Sequence, residues 1–229
     1  MKYEITPGTT LKFVVVRAGF CQENNSQTKA THPEPFAPQA LRARLRRATE
    51  HFGVVRFCDT ALEGVFEIRL QMKRDDRGFF ARSWCQKEFE SNNLNSKLVQ
   101  CNVSFNAKRG TLRGMHYQAQ PYAETKVVRC TLGSIYDVVL DLRPNSPTFK
   151  GWIAVVLTAA ERNMVYVPEG CAHGFLTLED DTEVFYQMSE FYSPEHSRGV
   201  RWNDPAFRIV WPGEALVISE RDQAYANFE

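Results

Sequence analysis

An all-β fold, with its sheets closed into a sandwich or barrel, is what this sequence predicts, and three observations carry that prediction. From about Asp59 onward the chain breaks into short runs rich in Val, Ile, Phe and Tyr, the residue types that suit a pleated, half-buried surface. Gly, Pro and Asn-Ser turns separate these runs at intervals found in sandwiches and barrels. No long apolar helix alternates with them and no phosphate-cradling glycine pattern follows a strand, which argues against a doubly wound nucleotide fold.

The first 58 residues have a different texture. A short apolar run, Leu11 to Val16, precedes a polar stretch from Gln22 to Pro38 that contains Pro33 and Pro35 and reads as a linker without a fixed fold. Leu41, Leu45, Ala48 and Phe52 then recur at helical spacing, with Arg42, Arg44, Arg46 and Arg47 on the other faces. That pattern predicts one amphipathic basic helix over Gln39 to Phe52. The chain is therefore expected to divide into an N-terminal extension, 1–58, and a main domain, 59–229. Within the main domain, strands are predicted at Val65 to Leu70, Lys97 to Ser104, Lys126 to Thr131, Ser134 to Leu142, Trp152 to Leu157, Asn163 to Val167, Phe175 to Leu178 and Thr182 to Ser189. One short helix is predicted at Cys85 to Asn92.

Composition sets limits on partners and compartment. The 229 residues are 43% hydrophobic and 24% charged, enough for a continuous core without staples. With 28 basic against 27 acidic side chains there is no global charge to hold nucleic acid, so an anionic partner has to be small and bound by local cations. Leu11 to Val16 is too short for a signal-peptide core or a membrane span. The six cysteines form no CxxC pair, so they read as separate small hydrophobes in a reducing compartment, with the cytoplasm as the expected location.

Chemistry gathers in two segments that place His beside glycine turns: Gly110-Thr-Leu-Arg-Gly-Met-His116-Tyr-Gln, followed by Glu124 and Lys126, and Pro168-Glu-Gly-Cys-Ala-His173-Gly. Together they resemble the paired motifs of the cupin jelly roll. Where metal-binding cupins have a second histidine in the first motif, this chain has Gln118, a poor ligand. At most His116, Glu124 and His173 remain as donors, so a metal site is disfavoured and none is assigned. The remaining groups suit acid–base work: a His as base, a Lys as cation and Tyr as proton donor. No Ser or Cys sits in a nucleophile elbow.

From about Asp59 to Asp222 the chain resembles, more narrowly, the dTDP-4-dehydrorhamnose 3,5-epimerase family. The motifs that carry the resemblance are Asp76-Arg-Gly-Phe-Phe80, Gln100-Cys-Asn-Val-Ser104, Leu112-Arg-Gly-Met-His-Tyr-Gln118, Asp141-Leu-Arg-Pro-Asn-Ser-Pro-Thr-Phe149, Pro168-Glu-Gly-Cys-Ala-His-Gly-Phe175 and Trp202-Asn-Asp-Pro205. The last reads first as a turn with an aromatic anchor. The resemblance implies a jelly-roll homodimer that epimerises a nucleotide-linked 4-keto-6-deoxyhexose without metal or redox cofactor. It assigns His116 as base, Asp222 as its carboxylate partner, Lys126 as the cation at the developing oxyanion and Tyr186 as the acid. Substrate contacts fall to Arg77, Gln100, Asn102, Arg113 and His173, with Phe80 and Phe191 as candidates for stacking on the base.

One departure stands out, since Arg82 occupies a position where the family often has Glu, and nucleotide or sugar preference is open there. Whether C3, C5 or both carbons are inverted is also open, because proton abstraction at either uses the same groups. Taken singly, each assigned residue has a blander reading, such as a strand-end histidine or a solvated charge. Their joint occurrence at family spacing is what those readings do not predict. A non-catalytic cupin that binds sugar nucleotides is the alternative from another class.

Overall fold

The computed structural model describes residues 13–16, as backbone, and 54–228. The predicted linker and the basic helix over Gln39 to Phe52 lie outside the described residues. The elements are β1 (Phe13–Val16), β2 (Val55–Asp59), β3 (Phe66–Leu70), β4 (Lys73–Asp75), β5 (Gly78–Phe80), α1 (Gln86–Ser91), β6 (Gln100–Asn106), β7 (Thr111–Gln118), β8 (Lys126–Leu132), β9 (Ser134–Asp141), β10 (Trp152–Thr158), β11 (Met164–Val167), β12 (Cys171–Thr177), β13 (Thr182–Met188), β14 (Ser197–Gly199), β15 (Val217–Ile218) and α2 (Glu220–Gln223).

Two sheets face each other. One has the order β1-β10-β9-β12-β7-β14, with β15 also on β7, and the other the order β2-β3-β11-β8-β13-β6; β4 and β5 make a separate hairpin. Each predicted strand appears, with ends displaced by a few residues. Those the sequence hid are short, polar or glycine-rich: the hairpin β4–β5, β14, β15, and above all β7, whose Arg-Gly-Met-His reads as a turn. β2 crosses the expected domain boundary, since Val55–Asp59 pairs along β3 and Val55 is buried. β1 lies parallel to β10, with Phe13 opposite Trp152.

Alternation along the strands divides the apolar residues into layers. Ile135, Val139, Val155, Val128, Val184 and Phe175 fill the space between the sheets. Tyr136, Val138 and Leu140, on the other face of β9, pack under the C-terminal segment through Val200 and Phe207. Both faces of β9 are thus covered, and every residue of the strand is buried, Asp137 and Asp141 included. A third cluster, with Phe89 of α1 against Ile68, Val127 and Met164, covers the outside of the second sheet.

The cysteine reading needs one correction. Cys85, Cys101, Cys130 and Cys171 are free, but Cys58 is disulfide-bonded. Sequence spacing reveals only local pairs, whereas this one is made by folding.

The Asp141 to Phe149 motif is explained by the loop that it ties. Asp141 is fully buried and accepts bonds from Arg143 Nη2 (2.8 Å), Ser146 Oγ (2.5 Å) and Thr148 Oγ1 (2.6 Å). Burial pushes its carboxyl up, but these donors outweigh that and hold it at about 2. A carboxylate depressed in the folded state lends stability that is present above its ordinary value of 3.8 and is lost as pH falls through about 2. Asp141→Asn is expected to be less stable than the parent by about 2 kcal/mol at pH 7, with the gap closing towards pH 2. Urea melts of both proteins across that range test this.

Candidate active site

A cavity of about 710 Å³ opens between the sheets, and strands of both carry side chains into it. β7 supplies Arg113 and His116, β12 supplies His173, β8 supplies Lys126, β13 supplies Tyr186 and β6 supplies Asn102, while Arg221 and Asp222 enter from α2. The period of a strand would send Arg113 and His116, three residues apart, to opposite faces. A bulge prevents that. His173 pairs with His116 and Phe175 with Arg113, so β7 carries three steps where β12 carries two, and both side chains reach the cavity.

Glycines on both strands make room for the bulge. Gly114 has φ +138°, and a Cβ there would lie 2.5 Å from the Cα of Gly174. At Gly174 a Cβ would meet the Arg113 carbonyl at 2.8 Å. The Arg-Gly-x-His and His-Gly motifs are therefore two halves of one close backbone approach. Gly114→Ala is expected to cost about 2–4 kcal/mol and most of the activity, because β7 has to move away from β12. Thermal melts alongside activity assays check it, and an unchanged melting point would show that the bulge tolerates a methyl group.

His116 Nε2 lies 2.6 Å from Asp222 Oδ1, and the ring meets Tyr225 edge-on at 6.1 Å. Asp222 is buried. Its Oδ2 accepts the Gly114 N–H at 3.2 Å, and its own N–H donates to Ser219 Oγ at the start of α2. Burial pushes the Asp222 carboxyl up, but its bonds to His116, Gly114 and Ser219 outweigh that and hold it below the usual carboxylate range.

A second dyad was not visible in the sequence. His173 Nε2 lies 2.7 Å from Asp137 Oδ2, and Asp137 is fully buried on β9. Only the pairing of β9 with β12 brings them together, since Asp137 stands opposite Phe175 and next to the Val139–His173 pair on the same face. Glu124 Oε1 lies 3.0 Å from Lys126 Nζ. The three donors that a metal reading would need, His116, His173 and Glu124, are thus each engaged by a different group. Among the described residues no cluster of His, Cys, Asp or Glu is arranged to hold a metal ion.

The assigned substrate contacts divide. Asn102, Arg113 and His173 line the cavity; Arg77, Phe80, Gln100 and Phe191 do not. Arg113 Nε donates to Asn106 Oδ1 at 2.7 Å, which fixes the guanidinium at the rim. Gln100 Oε1 accepts the Tyr192 N–H, and Gln118 donates to the Phe191 carbonyl while accepting from Ser193 N–H at 2.6 Å. These two glutamines hold the turn that presents Tyr192, which lines the cavity where its neighbour Phe191 does not. Arg77 pairs with Asp75 at 2.6 Å on the exposed β4–β5 hairpin, and Phe80 is 63% exposed. Arg82 is held by Glu88 of α1 at 2.7 Å and does not reach the cavity. Sequence reasoning also passed over Arg221, whose guanidinium donates to Tyr225 OH and Ser197 Oγ.

A jelly roll of two facing sheets with a histidine–carboxylate dyad, a lysine and a tyrosine in one cavity has the architecture of a cupin-type isomerase. The chain belongs to the dTDP-4-dehydrorhamnose 3,5-epimerase family, whose model matches residues 59–229. It is 42% identical over 164 residues to the dTDP-4-dehydrorhamnose 3,5-epimerase of Sinorhizobium fredii, covering 70% of this chain and 84% of that protein. The crystal structure of the Bacillus anthracis dTDP-4-dehydrorhamnose 3,5-epimerase with TDP and PPi bound is 39% identical, with a TM-score of 0.73, over 76% of this chain and 99% of that one. ChmJ, a 3'-monoepimerase from Streptomyces bikiniensis in complex with dTDP-quinovose, is 31% identical with a TM-score of 0.68, over 73% and 85%. Among the described residues, no helix is long and apolar enough to cross a membrane.

Proposed function

We propose that this protein epimerises a nucleoside-diphosphate 4-keto-6-deoxyhexose without a cofactor, converting dTDP-4-dehydro-6-deoxy-D-glucose to dTDP-4-dehydro-L-rhamnose or a close relative. The observation that carries the reading is the convergence of His116, Lys126 and Tyr186 on one cavity, with Asp222 bonded to His116. A proton on the carbon beside a ketone is weakly acidic, and its removal places negative charge on the ketone oxygen. A neutral imidazole suits that step at neutral pH when a carboxylate fixes its tautomer and stabilises the imidazolium. Asp222 takes Nε2, so Nδ1 is the proton acceptor. Lys126 receives the charge on the oxygen as it develops. Tyr186, on the facing sheet from His116, delivers a proton to the opposite face of the ring, and inversion follows.

Arg113 holds the diphosphate through its fork of N–H donors. The protein acts as a homodimer in this reading. β6 is a sheet edge, and its Val103 (58%) and Phe105 (53%) are exposed together with Phe80 of the β4–β5 hairpin. A dimer in which one copy's hairpin lies over the other's cavity would bring Arg77 and Phe80 to the substrate. The catalytic unit is the predicted 59–229 domain with β2 added at its start. The four free cysteines fit a cytoplasmic location, with Cys58 as the exception.

The test is incubation with dTDP-4-keto-6-deoxyglucose in heavy water, counting deuterium per carbon. Deuterium at C3, C5 or both, with inverted product, is the expected result and also separates single from double epimerisation. Binding without exchange would leave the non-catalytic sugar-nucleotide-binding cupin instead.

A further inference from the structure

Glu124 is out of place in a cavity meant for a doubly charged diphosphate and a developing enolate. The cavity has two lining carboxylates, and Asp222 is committed to His116. Glu124 is the other, so its negative charge works against substrate binding unless it acts on something else. The structure places it 3.0 Å from Lys126, with the two side chains only 9% and 11% exposed. The residues sit two apart, on one face of the chain as it enters β8. Between them Thr125 is pinned on both sides, its N–H to Ser189 Oγ (2.8 Å) and its carbonyl to Ser189 N–H (3.1 Å). The pair is therefore fixed by backbone bonds as well as by its own attraction.

The other charged and titratable groups in the cavity are Arg113, His116 and Tyr117 from β7, His173 from β12, Tyr186 from β13, Tyr192 from the turn after it and Arg221 beside Asp222. Arg113 and Arg221 already offer two guanidinium groups to a diphosphate. A free lysine on a flexible stem would join them at the diphosphate, away from the ketone. An ammonium has three N–H donors, and a carboxylate that takes one of them restricts where the other two point.

Resting on the epimerase reading above, we propose that Glu124 is a positioning residue: it holds the Lys126 ammonium at the sugar end of the cavity, aimed at the ketone oxygen and withheld from the diphosphate. Glu124 touches no reacting atom and acts only through Lys126. Two consequences separate this from a role in stability. Loss of Glu124 lowers kcat but not the affinity for a nucleoside diphosphate, because the released lysine can still meet the phosphates. Its effect also disappears when Lys126 is gone.

The experiment is a double-mutant cycle of Glu124→Gln and Lys126→Ala, read by heavy-water exchange on dTDP-4-keto-6-deoxyglucose, with dTDP binding measured by calorimetry. Glu124→Gln is expected to lower kcat by about ten- to a hundred-fold, the range typical of groups that orient an active-site partner. It should bind dTDP at least as tightly as the wild type. In the Lys126→Ala background the same substitution should change the exchange rate less than about two-fold. Additive losses in the two backgrounds, or dTDP binding weakened in step with kcat, would overturn the inference. If Glu124→Gln lacks the wild-type melting point, Glu124→Asp takes its place in the cycle; it keeps the charge but draws the ammonium aside, and the same coupling is required of it. Wild-type exchange without coupling removes the role of Glu124 and leaves the epimerase standing. A wild type that exchanges nothing removes the reading beneath it.

Discussion

His116→Ala is expected to abolish solvent deuterium exchange and epimerisation together, lowering both by about 10²- to 10⁴-fold, the contribution typical of a positioned general base. In the proposed mechanism the proton is taken by the ring nitrogen of His116 left free by Asp222. Asp222→Asn should weaken both activities without emptying the site, since the amide keeps the size of the carboxylate but no longer stabilises the imidazolium. The wild-type Asp222 carboxyl lies below its usual range. It is therefore ionised throughout neutral and mildly acidic pH, and its protonation costs activity only below the ordinary carboxylate range. A fall in wild-type exchange between pH 7 and 5 reports another group. A His116→Ala protein that exchanged at the wild-type rate would take the histidine out of the mechanism.

Tyr186→Phe is expected to uncouple exchange from inversion. Tyr186 pairs across β13 and β6 with Asn102, on the sheet that faces β7, and in the proposed mechanism it serves the face of the ring away from His116. Without its hydroxyl the enolate still forms and is reprotonated by the histidine that made it. Deuterium then enters at one carbon while inverted product falls by about 10²-fold or more. Mass spectrometry of the recovered sugar nucleotide, with product configuration read by NMR, separates the two rates. Parallel loss of exchange and inversion would show that the tyrosine helps to form the enolate.

Much of this molecule was legible before folding was considered. The inner strands β8, β9, β10 and β13 announce themselves by short clusters of Val, Ile, Leu, Phe and Tyr at the positions they bury. His116, Lys126, Tyr186 and Asp222 were named by the family resemblance that the motifs carry, and the cavity is lined by all four. β7 was not legible as a strand, because its bulge needs glycine and its inward residues are polar. The glutamines were read by type, one as a substrate contact and one as a failed ligand. Both turn out to hold the Tyr192 turn through backbone groups that only the fold brings near.

Local sequence thus determined the β class and the strands of the core, since each depends on residue type and short-range period, while the family resemblance supplied the candidate acid–base groups. The tertiary structure decided which of those groups meet. Asp222 reaches His116 across 106 residues, Asp137 reaches His173 across 36, and Arg77 and Phe80 stay outside the cavity of their own chain. Sheet register and a single bulge set those distances, and register is a property of paired strands that no one segment contains.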